Sequence, residues 1–231
     1  MLVQWCSGRL GTMPFSPFRL LLQIFFFAIL IAAVQVGLLV IAFEKLGLSP
    51  FSGMLLLMSA LLGSFINLPL VRIRAHLLPS LPQADRAGFW RVKQQPFDGT
   101  TLIALNVGVC VIPVLFSLYL LIQTPPALLE VALATSVVTV VSYAFSRPVT
   151  GIGIAMPMFI APFTAAAAAL LINAEHSAPL AYIGGTLGVL LGADILRIRN
   201  ASTLGAPVAS IGGAGTFDGI FMTGIVAALL A

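Results

Sequence analysis

Charge is what this sequence has least of. Its 231 residues include eleven Lys or Arg and seven Asp or Glu, so 8% are charged, against about 25% in an ordinary soluble domain. A water-facing surface of the usual kind is therefore excluded. Cysteine is almost as scarce. Cys6 and Cys110 make no disulfide framework, and no Cys-x-x-Cys or His/Cys cluster suggests a metal site. The two histidines, His76 and His176, fall in loops, where a solvated imidazole is the ordinary case. No cofactor is expected. The net charge of +4 is no argument for nucleic acid, because the basic residues follow the ends of apolar runs.

What is present instead is apolar. Hydrophobic residues make up 60% of the chain and its mean hydropathy is +1.11. The expected fold class is all-α, a polytopic integral membrane protein of the cell inner membrane, with the lipid bilayer as its partner. Residues Met1 to Thr12 differ in character from the rest of the chain, and Met13-Pro14-Phe15-Ser16-Pro17-Phe18 would make an alternative start. Residues 1–12 are thus expected to be a disordered extension, and 13–231 one membrane domain.

Leu20 to Phe43 exceeds a signal-peptide core of about 7–15 residues and reaches the roughly 20 needed to span, so it reads as an uncleaved first helix. Further spans are expected at Phe51–Val71, Thr101–Ile122, Ala127–Phe145 and Leu180–Leu196, with a cytoplasmic loop at about 72–99. The fifth span, Gly151–Asn173, carries Gly151, Gly153, Pro157 and Pro162. Proline removes a backbone donor and clashes one turn back, so this span should be broken. The glycine-rich last twenty-five residues supply an irregular seventh. Counting Lys and Arg beside each span, an N-in, C-out chain puts all but Lys45 on the cytoplasmic side; a re-entrant last segment would bring the C-terminus inside. Leu62 to Arg74 also echoes Leu187 to Arg199, as a parallel repeat or as a common way to end cytoplasm-bound helices.

Five of the seven acids are cheap to solvate. Glu44, Glu130 and Glu175 sit at outer ends or turns, and Asp85 and Asp98 in the cytoplasmic loop. Asp194 and Asp218 are different. Asp194 lies one turn inside Arg197, and Asp218 follows Gly212, Gly213 and Gly215 in a stretch expected at membrane depth. A charge at the bilayer centre costs about 2.5–3.5 kcal/mol even on a lenient scale. No Lys or Arg lies within a span to pair with Asp218. It should be protonated, share a proton with Asp194, bind a cation, or accept the backbone N–H groups that these glycines are suited to expose. Asn67 on the second helix and Asn106 on the third lie near cytoplasmic ends, so the four side chains are expected to converge. Gly151, Gly153 and Pro157 of the broken fifth span are further candidates to line an ion or ligand path.

Two carboxylates sharing a site cannot both ionise, which is the acid/base arrangement of aspartic proteases. Gly192-Ala193-Asp194 and Gly215-Thr216-Phe217-Asp218-Gly219 resemble the Gly-x-Gly-Asp helices of presenilin-type and prepilin intramembrane proteases. Neither acid has the full pattern, and the Tyr-Asp and Pro-Ala-Leu motifs are missing, which puts a catalytic Asp194/Asp218 pair in doubt. The same residues would serve an ion- or proton-coupled transporter. On a third reading the glycines pack helices closely, the acids are neutral, and the chain is an accessory or assembly subunit beside other membrane proteins.

Beyond single residues, the chain from Met13 onward resembles the DUF1614 family of prokaryotic membrane proteins. The shared stretches include Gly63-Ser64-Phe65-Ile66-Asn67-Leu68-Pro69, Arg147-Pro148-Val149-Thr150-Gly151-Ile152-Gly153, Gly192-Ala193-Asp194 and Ala209-Ser210-Ile211-Gly212-Gly213-Ala214-Gly215-Thr216-Phe217-Asp218-Gly219. The resemblance implies a multi-pass membrane protein and transfers no activity.

Overall fold

A computed structural model describes residues 17–74, 99–124, 126–149, 153–198, 208–212 and 219–231. The expectations for residues 1–12, for most of the 72–99 loop, and for Gly151, Gly213, Gly215 and Asp218 lie outside them. The chain divides into two compact units, residues 1–38 and 39–231.

The described part of the first unit is the beginning of α1 (Pro17–Lys45). Its segment from Ile24 has a mean hydropathy of 2.9, and Phe25, Phe26 and Phe27 are 62%, 63% and 65% exposed. A helix that is apolar on all sides belongs in an apolar medium.

The second unit contains the end of α1, then α2 (Pro50–Gly63), α3 (Ile112–Gln123), α4 (Leu128–Phe145), α5 (Ile160–Ile172), α6 (Ser177–Val189) and α7 (Gly219–Leu230). π-helical turns precede α3 at Val107–Val111 and extend α6 at Leu190–Ile195. Local chemistry sets several ends. Ser49 Oγ accepts the Ser52 N–H to start α2, with Pro50 in its first turn, the position where a missing N–H costs nothing. Pro162 likewise falls in the first turn of α5.

The α6 helix is the centre of this unit, packed against α3, α4, α5 and α7. Of Ser177–Ile195, 78% is buried, against 28% of Leu128–Phe145. Glycines make the closest approach possible. Gly184, Gly188 and Gly192 recur every fourth residue and face Ala134, Val138 and Ser142 of α4. Such small-residue stripes let helices dock where lipid supplies no hydrophobic drive. Large apolar side chains such as Phe51, Ile122, Leu128, Val140 and Leu171 stay exposed, an outer surface suited to an apolar solvent rather than water.

Polar contacts gather at the two ends of the unit. At one end Lys45 Nζ donates to the Leu229 carbonyl and Ser177 Oγ to that of Ala231, each at 3.0 Å. There too Asn173 Nδ2 donates to both carboxylate oxygens of Glu130 at 3.2 Å. At the other end Arg197 donates to the Tyr143 and Ser146 carbonyls at 2.7 and 3.0 Å, and its guanidinium lies 4.1 Å from the Tyr143 ring centroid. It thereby satisfies carbonyls that the C-terminus of α4 leaves open.

The all-α expectation is corrected to mostly helical, because extended segments interrupt several of the expected spans. The expected second helix stops at Gly63, and Asn67–Arg74 is instead strand β1. The third begins as strand β2 (Thr100–Asn106) before turning helical. The fifth opens as strand β4 (Gly153–Ala155), paired antiparallel with β3 (Arg147–Val149) just before it, and becomes helix only at Ile160. The last segment contains β5 (Val208–Ile211) ahead of α7. In the main sheet the order is β1-β2-β5, antiparallel between the first pair and parallel between the second. A bulge follows Pro69 in β1, where the missing N–H cannot join a ladder. Helix, antiparallel strand pair, helix thus occurs twice, as α2-β1-β2-α3 and α4-β3-β4-α5. The echo of Leu62–Arg74 in Leu187–Arg199 has no structural counterpart, since the first is strand from Asn67 and the second stays helical through Ile195.

Candidate functional site

The two asparagines meet by register. Asn67 opens β1, Asn106 closes β2, and they are direct cross-strand partners; neither is on a helix as expected. Asn106 is fully buried and its amide is saturated. Its Nδ2 donates to the Ser64 carbonyl at 2.7 Å and to Asn67 Oδ1 at 3.1 Å. Its Oδ1 accepts the Val109 N–H at 2.9 Å, capping the π-helical turn before α3. One side chain therefore locks α2, β1 and α3 together, as a buried amide must if no polar atom is to go unmet. Asn67 Oδ1 accepts a second bond, from Ser210 Oγ of β5 at 2.8 Å.

Backbone fit brings these elements so close. A Cβ on Gly63 would lie 3.0 Å from Gly108 Cα, so α2 and the π-helical turn touch main chain to main chain. Gly212 ends β5 with φ +93, a conformation natural to glycine. A Cβ there would also press on Cys110 Cβ at 3.3 Å and Cys110 N at 3.4 Å.

That turn aims the Gly212 N–H at Asp194 Oδ2, 2.9 Å away. Asp194 sits in the π-helical extension of α6, a distortion common at functional positions. It is half-buried. Among the described residues no ion pair reaches it, because Arg197 is turned onto the end of α4. A carboxylate with one neutral donor and no cation has room to take up a proton or a cation.

The structure thus brings together Asn67 with Asn106, and Gly212 with Asp194, the two pairs meeting across β2 and β5. Gly153 and Pro157 lie in and just after β4, and no bond joins them to Asp194. Ser64, Ser210 and Cys110 belong to the cluster and were not anticipated. Ser210 stands two residues before Gly212 in a stretch already singled out; nothing local marks Ser64, which contributes only its carbonyl.

Together these features define a class: a mostly helical protein with, among the described residues, three helices long and apolar enough to cross a membrane, Ile24–Lys45, Leu128–Phe145 and Ser177–Ile195, and a polar cluster where strands interrupt helices. A family model described as "Protein of unknown function (DUF1614)" matches residues 61–230. The chain belongs to that family. No curated protein and no solved structure matches it.

Proposed function

We propose that the chain is a seven-span protein of the cell inner membrane, N-in and C-out, in which Asp194 carries a proton or a monovalent cation through a transport cycle. The observation that carries this reading is the state of Asp194: a half-buried carboxylate on a π-helical segment, held among the described residues by one backbone N–H, that of Gly212 just after the strand that interrupts the last span. Interrupted helices with exposed backbone at a carboxylate form cation sites in secondary transporters. The span count draws support from the end where Lys45, Glu130, Asn173, Ser177 and Leu229 are linked, as seven alternating crossings require. The helices α2, α5 and α7 have 14, 13 and 12 residues. At about 1.5 Å per residue none spans a core of about 30 Å alone; the strands beside them supply the remaining length, with β2 paired on both sides and β1, β3, β4 and β5 on one.

The test is reconstitution in liposomes with an imposed pH or Na⁺ gradient and a lumenal dye. The wild type should dissipate the gradient and Asp194→Asn should not, while both keep the same melting temperature. Equal rates in the two would sink the reading. A second reading, an accessory subunit beside other membrane proteins, is favoured by the saturated Asn106 amide, which fixes the cluster rather than leaving it free to exchange ligands. Co-purification of partner chains, with their function intact in Asp194→Asn, would support it. Cleavage of an apolar helical peptide, lost in both Asp194→Asn and Asp218→Asn, would instead favour a two-aspartate protease.

A further inference from the structure

Two arginines stand at the end of α4 and do different things there. Arg197 is engaged by the protein itself, through the Tyr143 and Ser146 carbonyls, Ser146 Oγ and the Tyr143 ring. Arg147, the residue after Ser146, instead lines a groove of about 480 Å³. The other walls are Ala144 and Phe145 of α4, Ala155 of β4, and Met156 and Pro157 after it. The β3-β4 hairpin creates this space. Arg147 and Ala155 are direct cross-strand partners, so their side chains share one face of the ladder, and the small Ala155 leaves room beside the long arginine. The groove therefore has one cationic wall and apolar walls elsewhere, with no acid among the described residues that line it. Its size falls within the roughly 300–1,000 Å³ of ordinary small-molecule sites. It also opens outward, since Arg147 is exposed and Phe145 is 50% exposed. Val140, on the same face of α4 as Ala144, is 67% exposed, so the apolar wall continues along the helix. That helix, Leu128–Phe145, is one of the three long and apolar enough to cross a membrane among the described residues. Arg147 thus stands just past its end, at the level where hydrocarbon gives way to headgroups.

We propose that this groove binds an anionic phospholipid, with its phosphate on Arg147 and an acyl chain against Phe145, Met156 and Pro157. The planar guanidinium fork matches two phosphate oxygens at once. The apolar walls match hydrocarbon and offer nothing to a free phosphate, which would meet the arginine alone. Net negative charge on the headgroup is favoured because the only charge on the lining is positive, and basic pockets at membrane boundaries hold anionic headgroups for this reason. The lipid site stands on the groove and its lining, and is independent of the Asp194 reading.

The test uses the full chain in phosphatidylcholine vesicles, with Trp5→Phe and Trp90→Phe removing both native tryptophans and Phe145→Trp placing a reporter in the groove. Dibrominated phosphatidylglycerol, which carries one net negative charge, is compared as a quencher with dibrominated phosphatidylcholine at equal mole fraction. The anionic lipid should quench with an apparent affinity at least about five-fold higher, the preference that one basic residue near a membrane surface confers. Arg147→Gln should abolish that preference by removing the cation. Ala155→Leu should abolish it by filling the groove with Arg147 intact, and it decides alone if Arg147→Gln does not fold. Arg72→Gln, which removes the same charge from the exposed residue of β1, should leave the preference in place. Equal quenching by the two lipids, or a preference that survives either Arg147→Gln or Ala155→Leu, overturns the proposal. Loss of the preference in Arg72→Gln as well would show a general surface charge in place of a site, and overturns it too. Soluble glycerol phosphate should leave quenching unchanged; displacement of the brominated lipid by it would assign the arginine to a free phosphate and overturn the lipid site.

Discussion

Replacing Gly188 by alanine should destabilise the protein more than any other single methyl added to α6 outside Gly192. The added Cβ would lie 2.5 Å from Val138 Cβ, 2.7 Å from Val138 Cγ1 and 3.1 Å from the Thr135 carbonyl. Carbon atoms in favourable contact sit about 3.5–4.0 Å apart, so α4 and α6 must separate by about 1 Å. Over-packing of this kind costs about 1–3 kcal/mol, and here the whole small-residue stripe is pried apart. Gly185→Ala is the internal control, since its nearest neighbour would be Ala165 Cβ at 3.2 Å, a contact a few tenths of an ångström can relieve. Gly37→Ala is the opposite control. Nothing lies within 4 Å of it, so alanine should stabilise α1 by about 0.5–1 kcal/mol. The assay is denaturant unfolding in detergent micelles, followed by circular dichroism. A double-mutant cycle of Gly188→Ala with Val138→Gly should show a favourable coupling of at least about 1 kcal/mol. Coupling near zero, or a Gly188→Ala no worse than Gly185→Ala, would refute the packing argument.

Asn106→Leu should cost at least about 2 kcal/mol in the same assay, because the Ser64 carbonyl and Val109 N–H lose their partner in the interior. Asp194→Asn should stay within about 1 kcal/mol of wild type, since an amide oxygen still accepts the Gly212 N–H; Asp194→Leu should melt lower than Asp194→Asn. Arg197→Met should lower stability by about 1–2 kcal/mol, reading the loss of charged donors to the end of α4 in a partly solvated setting.

Helical spans were readable wherever an apolar run was long and free of proline. The expected Ala127–Phe145 became Leu128–Phe145, and Leu20–Phe43 became Pro17–Lys45. The strands were not readable. Leu68-Pro69-Leu70-Val71 is a short apolar run, and such runs do not distinguish strand from helix by period. What makes it a strand is Thr100–Asn106, paired with it across more than twenty-five intervening residues. Asn67, Asn106, Asp194 and Gly212 were picked out because polar groups are scarce in such a chain. Their pairing was hidden because it rests on that register, and Arg197's turn toward Tyr143 depends on a helix fifty residues away. The recurrence of Gly184, Gly188 and Gly192 was plain in the letters and went unused.

The strand order has a consequence for biosynthesis. β5 pairs with β2, yet about a hundred residues of chain are made between them, a delay of roughly 5–20 s at 5–20 residues per second. During that interval Asp194 emerges before the Gly212 N–H that holds it, and Asn67 waits for Ser210. The cluster is completed only when β5 and Gly212 arrive, so its assembly reports that synthesis has passed residue 212.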